Sequence, residues 1–460
     1  MKHRSINKKT KNHASNGKKL PDFKNKKVLI FGLGLLGRGL KDAIFFAKRG
    51  AAVTVTDLKT KEQLKNSLDE LAPYKIIYTL GKHAEKDFLS ADFIIRNAAV
   101  PNQSLFLKLA LKHHKKIDMD EALFAEYSPC PIIGITGTRG KSTTTTLIWK
   151  IFKENWENEK RKVYLSGNLQ GEATLPLIDK VTKNDLVVLE LSSWQLQGFG
   201  SKKISPHVAV FTNIFPDHLN YYKTMREYIC DKKFIFQFQT KRDYCVINAE
   251  NNYTKNIKKE VHSKLIEFRK SDVPNNWRLS VPGEHNLENI AATIAVGKIF
   301  GLTKKQIRSS IENFTGLEHR LELVRTINDI SFINDTTSTT PIAGIMALSA
   351  MTKPTVLIAG GATKKLNLTE FAKAIAKKAK AIILLEGTAT NELEKKICKH
   401  GGKHLIAGKY NNLEHALKHA HSLSLPGDVV LLSPGCASFD MFKNEFDRGE
   451  QFKKIVKLLL

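Results

Sequence analysis

The sequence predicts an α/β protein of about three domains, each a parallel sheet covered by helices, and three observations carry that reading. A chain of 460 residues with 42% hydrophobic content is longer than one core accommodates. Short continuous apolar runs alternate with helical stretches, the pattern of parallel strands buried on both faces. Two glycine-rich turns, Gly32-Leu-Gly34-Leu-Leu-Gly37 and Gly134-Ile-Thr-Gly137-Thr-Arg-Gly140-Lys141-Ser142, each follow such a run and open a helix.

Residues 1–25 read as a basic, disordered tail, in which Lys8, Lys9, Lys11, Lys18, Lys19 and Lys24 surround the single acid Asp22. The formal charge of +28 would attract polyanions, but most of the remaining lysines are spread over helical faces. A solvated lysine-rich surface is therefore favoured over nucleic-acid binding. No apolar run approaches the about 18 to 20 residues of a membrane span, and Met1-Lys-His-Arg-Ser lacks the apolar core of a leader, so the cytoplasm is expected. Five scattered cysteines without a CxxC pair point to neither a disulfide framework nor a zinc site.

The first domain is placed at residues 26–118. Lys27-Val-Leu-Ile-Phe31, the Gly32–Gly37 turn, a helical stretch to Gly50 and the strand Ala52–Asp57 form a β-α-β unit of Rossmann-like kind. Gly32, Gly34 and the strand-ending Asp57 are its candidate nucleotide-binding residues. Strands at Lys75–Thr79 and Asp92–Ile95 complete it.

The central domain, 119–316, opens on a phosphate loop. Gly137, Thr138 and Gly140 let backbone N–H groups converge on phosphate oxygens, Lys141 reaches the outer phosphates, and the Ser142 or Thr143 hydroxyl can ligate Mg²⁺. The ordinary GxxxxGK[ST] spacing would need glycine at Ile135, so this is a more compact, P-loop ATPase-like variant. The apolar runs Asp185–Leu191 and Val208–Asn213 read as central strands. Glu190, Asn213, Asp217 and His218 are expected at their carboxyl ends, in the crevice that holds Lys141. The third domain, 317–460, has strands at Ile330–Asn334, Thr355–Ala359, Ala381–Leu385 and Asp428–Leu432 and is again Rossmann-like. Two nucleotide-type folds imply two phosphate-bearing substrates; a dehydrogenase would not need the triphosphate loop.

In order and spacing, several runs resemble the Mur ligase family: Ile135-Thr-Gly-Thr-Arg-Gly-Lys-Ser-Thr-Thr144, Glu190-Leu-Ser-Ser-Trp-Gln-Leu196, Asp217-His-Leu219, and Gly283-Glu-His-Asn286 with Asn289. His319-Arg320, Asn334-Asp335, Gly360-Gly361 with Lys364, and Leu432-Ser-Pro-Gly-Cys-Ala-Ser438-Phe-Asp440-Met-Phe442 extend the resemblance to the end of the chain. The GxGxxG start and the closing run resemble the branch that adds D-glutamate to UDP-N-acetylmuramoyl-L-alanine. The resemblance implies an ATP-dependent amide ligase of peptidoglycan precursor synthesis, acting through an acyl phosphate as a monomer with two Mg²⁺ ions.

It also implies roles. Lys141, His218, Lys232 and Arg320 would be catalytic. Ser142 and Glu190 would hold one Mg²⁺ and His218 the second, supported by Lys232 in carbamylated form. Lys232 is chosen by register with Met225, Tyr228, Ile235 and Phe236, although Cys230-Asp231 stands where alanines are usual and Lys233 is adjacent. Asn286 and Asn289 would contact adenine, Asp335 the ribose and Arg320 the γ-phosphate. Gly32, Gly34 and Asp57 would receive the uridine diphosphate, Asn168 would lie near the muramoyl part, and Ser192 would also contact substrate. The amino acid would fall to Thr337, Lys364, Ser438 and Phe442.

The pattern departs from the family at Thr337, where a lysine is usual. A hydrogen bond to a charged group contributes about 1.5–3 kcal/mol, so amino-acid recognition needs another cation, for which Lys364 and Lys365 are placed. Asn97-Ala98-Ala99 replaces a Ser-Pro-Gly, and Gly167–Gly171 is a longer turn than usual. The alternatives are a related Mur-type ligase adding another amino acid such as L-glutamate, and a basic nucleic-acid-binding protein on a ligase-like core. A folylpolyglutamate synthase is disfavoured because it ordinarily lacks the first GxGxxG domain.

Overall fold

A computed structural model describes residues 18–34, 37–168, 173–217, 221–281, 284–364 and 366–459. Its contacts divide the chain into two compact units, one running to Trp277 and taking in Glu284–Ile311, the other comprising Arg278–Gly283 and Glu312–Leu460.

The first unit contains two parallel sheets. One consists of β1 (Lys27–Phe31), β2 (Ala52–Asp57), β3 (Ile76–Leu80), β4 (Phe93–Arg96) and β5 (Lys116–Asp118), in the order β3-β2-β1-β4-β5. The helix Arg38–Lys48 leaves its glycine turn. The other holds β6 (Ile132–Thr136), β7 (Val163–Gly167), β8 (Leu186–Glu190), β9 (Val208–Phe211), β10 (Tyr244–Asn248) and β11 (Lys264–Phe268), in the order β11-β10-β9-β6-β8-β7. Every residue of β6, β8 and β9 is buried, which is why these strands read as unbroken apolar runs. In register, Ile135 lies opposite Glu190 and Thr136 opposite Phe211, so the three strands end side by side.

One apolar core runs through both sheets of this unit, from Phe23, Ile30 and Phe46 to Leu189, Phe211 and Ile235. Of the stretch expected to be tail, residues 1–17 lie outside the described residues, but residues 18–25 are not tail. Phe23 is 1% exposed and packs edge-on against Phe46 and Phe93, while Lys18 pairs with Glu126 at 3.2 Å. One aromatic side chain among lysines outweighs the charged composition around it.

The second unit has one sheet, built from β12 (Glu322–Ile327), β13 (Ile330–Asn334), β14 (Thr355–Gly360), β15 (Ala381–Leu385), β16 (Ile406–Tyr410) and β17 (Val429–Leu432), in the order β12-β13-β17-β14-β15-β16. All pairs are parallel except the hairpin β12–β13. Its two-residue turn, Asn328-Asp329, has φ of 48° and 61°, the left-handed region that Asn and Asp tolerate.

Candidate active site

The phosphate loop joins β6 to the helix Lys141–Asn155. Gly137 and Gly140 hold φ of 152° and 77°. A Cβ at Gly137 would collide with Thr212 Oγ1 and one at Gly140 with Asn289 Oδ1, so neighbours close in on both bare positions. Asn213 braces the turn, its carbonyl accepting from Thr138 N at 2.9 Å and its Oδ1 from Arg139 N at 2.9 Å. Lys141 Nζ folds back to donate to the Gly137 and Thr138 carbonyls at 3.1 and 3.0 Å. Asn289 lies buried under the loop. Its Oδ1 accepts from Thr144 Oγ1 at 3.1 Å and its amide donates to Asn286 Oδ1 at 3.1 Å. Ser142 and Thr143 lie in the first turn of the loop's helix, half-buried and buried respectively.

Glu190 ends β8 at 2% exposure. Its Oε1 accepts from Asn168 Nδ2 at 2.9 Å, while among the described residues its buried Oε2 has no hydrogen-bond partner. A carboxylate oxygen held dry and unpaired beside a phosphate loop suits a divalent cation. Asn168 Oδ1 accepts from both Nη atoms of Arg38 at 3.4 Å, a residue that the sequence reading passed over.

Lys232, on the helix Met225–Lys233, is 1% exposed and donates to the Gly137 carbonyl at 2.7 Å and to Thr136 Oγ1 at 3.4 Å. Burial, then the charge of Lys141, holds its amine well below the usual lysine range, against the pull of Asp217, Glu190 and Asp231. The neighbouring Lys233 instead pairs with Glu260. Asp231, where an alanine is usual, anchors this helix by accepting from Gln197 Nε2 at 2.6 Å and Tyr222 OH at 2.9 Å. Gln197 in turn accepts from Arg96 at the end of β4, at 2.7 Å. His218 lies outside the described residues, as do Gly283 and Lys365.

In the first sheet, Asp57 accepts from Gly34 N at 3.0 Å and Lys59 N at 2.8 Å, so it orders the glycine turn. Gly32 is covered by Asn97, the first residue of the unusual Asn97-Ala98-Ala99. Ser192 is spent on a capping box, accepting from Gln195 N at 3.3 Å and donating to Gln195 Oε1 at 2.8 Å.

In the second unit, Thr337 Oγ1 donates to the His319 carbonyl at 2.9 Å. The cation expected to compensate, Lys364, donates to Thr339 Oγ1 at 2.7 Å. Ser438 is buried with no partner for its hydroxyl among the described residues, and Phe442 is part of the core. Asp335 is 2% exposed and accepts from Ser338 Oγ, from Ser433 Oγ at 2.8 Å and from Leu321 N at 3.1 Å. Burial pushes its carboxyl up to about 6 in spite of these donors. Arg320 is exposed on the same unit. Arg448, also passed over in the sequence, is fully buried and donates to Thr336 Oγ1 and Thr336 O at 3.0 and 2.9 Å.

The family profile described as Mur ligase middle domain matches residues 135–278, and that described as Mur ligase, glutamate ligase domain, matches 319–436. A curated relative from Roseiflexus sp. (strain RS-1), UDP-N-acetylmuramoylalanine–D-glutamate ligase, is 38% identical over 94% of this chain and 98% of its own. A relative of the same name from Borreliella afzelii (strain PKo) is 35% identical over 96% of this chain and 100% of its own. Among solved structures, UDP-N-acetylmuramate-alanine ligase of Thermotoga maritima matches with a TM-score of 0.58 and 19% identity, covering 94% of this chain and 99% of that one.

Proposed function

The chain belongs to the Mur ligase family, and we propose that it joins D-glutamate to UDP-N-acetylmuramoyl-L-alanine in an ATP-driven step of peptidoglycan precursor synthesis. One observation carries the assignment of chemistry to residues: Lys141 and Lys232 both donate to the Gly137 carbonyl, and Glu190, whose Oε2 has no partner among the described residues, ends the adjoining strand β8 opposite Ile135.

An amine cannot displace oxide from a carboxylate directly, because oxide is too poor a leaving group. Transfer of the ATP γ-phosphoryl group to the substrate carboxylate gives an acyl phosphate and ADP. The glutamate amine then attacks the acyl carbon, phosphate departs with the bonding pair, and the amine's proton is lost. Such transfers are promoted by positioning and by neutralising charge on the phosphoryl oxygens. Lys141 and the amides of the Gly137–Gly140 loop are assigned to the β- and γ-phosphates. Asn286, held by Asn289, is assigned to adenine.

The donor set fits a divalent cation: Glu190 and Ser142 would hold one Mg²⁺ and His218 a second, each supplying positive charge to phosphate oxygens. Lys232 fits carbamylation: CO₂ adds to the neutral form of an amine with loss of a proton, giving a carboxylate, and burial shifts this amine towards that form. The nucleotide sugar is assigned to Gly32, Gly34 and Asp57 with Asn168. Lys364, Ser438 and Phe442 are assigned to the amino acid, with Lys364 as the cation in place of a lysine at Thr337. Among the described residues no helix is long and apolar enough to cross a membrane, and the cytoplasm is the proposed location.

The test is phosphate release from ATP with Mg²⁺ and UDP-N-acetylmuramoyl-L-alanine against D-glutamate, L-glutamate and D-aspartate. Release with D-glutamate is expected. Release with L-glutamate alone would reassign the amino acid, and no release with any of the three would remove the ligase reading.

A further inference from the structure

We propose that Arg38 is a positioning residue of the metal site: from the glycine turn of the first sheet it fixes the Asn168 amide, and through that amide it holds Glu190 with one oxygen turned to the cation. The inference rests on the assignment of Glu190 as a metal carboxylate and goes beyond it in naming what aims that carboxylate.

The chemistry of the three groups allows one arrangement. A guanidinium has donors only, and a carboxylate has acceptors only. An asparagine amide between them must turn Oδ1 to the arginine and Nδ2 to the glutamate, which is what the contacts of 3.4 and 2.9 Å show. With Arg38 removed, the amide could turn over and present Oδ1 to Glu190, a repulsive contact. The backbone on either side is fixed. Asn168 N donates to the Glu190 carbonyl at 2.7 Å, and a Cβ on Gly167 would strike that same carbonyl, so the amide's remaining freedom is rotation about its own side chain. Oε1 is thereby spoken for, and Oε2 is left buried without a partner among the described residues.

Arg38 is the first residue of the helix that leaves the Gly32–Gly37 turn, close enough to the carboxyl groups of Asp42, one turn further on, and Asp120 to favour their charged forms against burial. The result is a strut from the turn assigned to the nucleotide sugar to the second sheet's carboxylate, whose first link joins residues 130 positions apart in sequence. Hydrogen bonds that orient a metal ligand are commonly worth about 10- to 100-fold in metal affinity.

The experiment titrates Mn²⁺ by electron paramagnetic resonance into full-length protein with a non-hydrolysable ATP analogue, without sugar or amino acid. Arg38→Met is expected to weaken Mn²⁺ binding about tenfold or more, and Arg38→Lys to restore part of the loss. Asn168→Leu should weaken binding as much as Arg38→Met, and adding Arg38→Met to Asn168→Leu should change nothing further. A merely structural arginine would lower the melting temperature of every variant and give additive losses. Wild-type Mn²⁺ affinity in Arg38→Met, or additivity in the double variant, overturns the strut. If Glu190→Gln loses the metal while Arg38→Met keeps it, the strut alone falls; if Glu190→Gln binds Mn²⁺ as the wild type does, the metal assignment falls with it.

Discussion

Lys232 donates a hydrogen bond to the carbonyl of Gly137 across 2.7 Å, pinning the helix Met225–Lys233 to the phosphate loop. Replacing it removes both the pin and the amine proposed to carry CO₂. Lys232→Ala should lower turnover by roughly 100-fold or more, with partial recovery on adding a short carboxylic acid. Lys233→Ala, which breaks a pair with Glu260, should retain activity. Phosphate-release assays of both variants decide the register, and the reverse outcome would move the functional lysine by one residue.

Gly140 has φ of 77° and faces Asn289, so an added methyl group is both strained and obstructed. The left-handed conformation alone costs about 1–2 kcal/mol, and Gly140→Ala should weaken nucleotide binding by roughly tenfold or more. The obstruction is the Asn289 side chain, which also holds Thr144 and Asn286, so Asn289→Ala alone should weaken nucleotide binding as well. Fluorescent-nucleotide titration of the two variants measures this.

Lys364 and Thr337 should respond unequally. Lys364→Met removes the proposed partner of a substrate carboxylate and should raise the KM for glutamate roughly 10- to 100-fold, leaving the KM for ATP unchanged. The Thr337 hydroxyl is committed to the His319 carbonyl, so Thr337→Val should cost about 0.5–1.5 kcal/mol of stability and alter glutamate KM little. Equal effects of the two on glutamate KM would place Thr337 in the amino-acid site after all.

Asp335 makes a pH-dependent contribution of definite sign. Its folded carboxyl, raised to about 6 by burial, binds a proton more tightly than the unfolded one near 3.8, so protonation favours the fold. That contribution is complete below the unfolded value and lost as pH rises through about 6. The stability of the wild type relative to Asp335→Asn should therefore fall by about 1 kcal/mol between pH 5 and 7.5. Melting curves at the two pH values test it; a constant difference would mean that Asp335 is ionised throughout.

What could be read from the sequence was what lies close together in it. The wholly buried β6, β8 and β9 and the two glycine turns announced themselves, because burial on both faces leaves unbroken apolar runs. Edge strands such as β11, with its first residues exposed, carry little pattern and went unread. So did the antiparallel β12, although Asn328-Asp329 is a hairpin signal. Phe23 was hidden in a lysine-rich stretch. Lys232 could be proposed through a motif, whereas the contacts of Arg38 and Arg448 could not be read: their partners Asn168 and Thr336 lie 130 and 112 positions away, and no local spacing records such a meeting.

The route of the chain through its two units also bears on how the protein is made. The chain enters the second unit at Arg278, returns with Glu284, and leaves the first unit for good after Ile311. The helix Glu284–Ile299 packs on the phosphate-loop helix, with Gly297 against Ile151, and brings Asn289 to Thr144, 145 positions upstream. During vectorial synthesis the six strands of the second sheet emerge from the ribosome before this cover does. A nascent chain halted after Phe268 would have every strand of that sheet and still lack the residue that closes its phosphate loop, so ATP capture is a late event in the protein's own biogenesis.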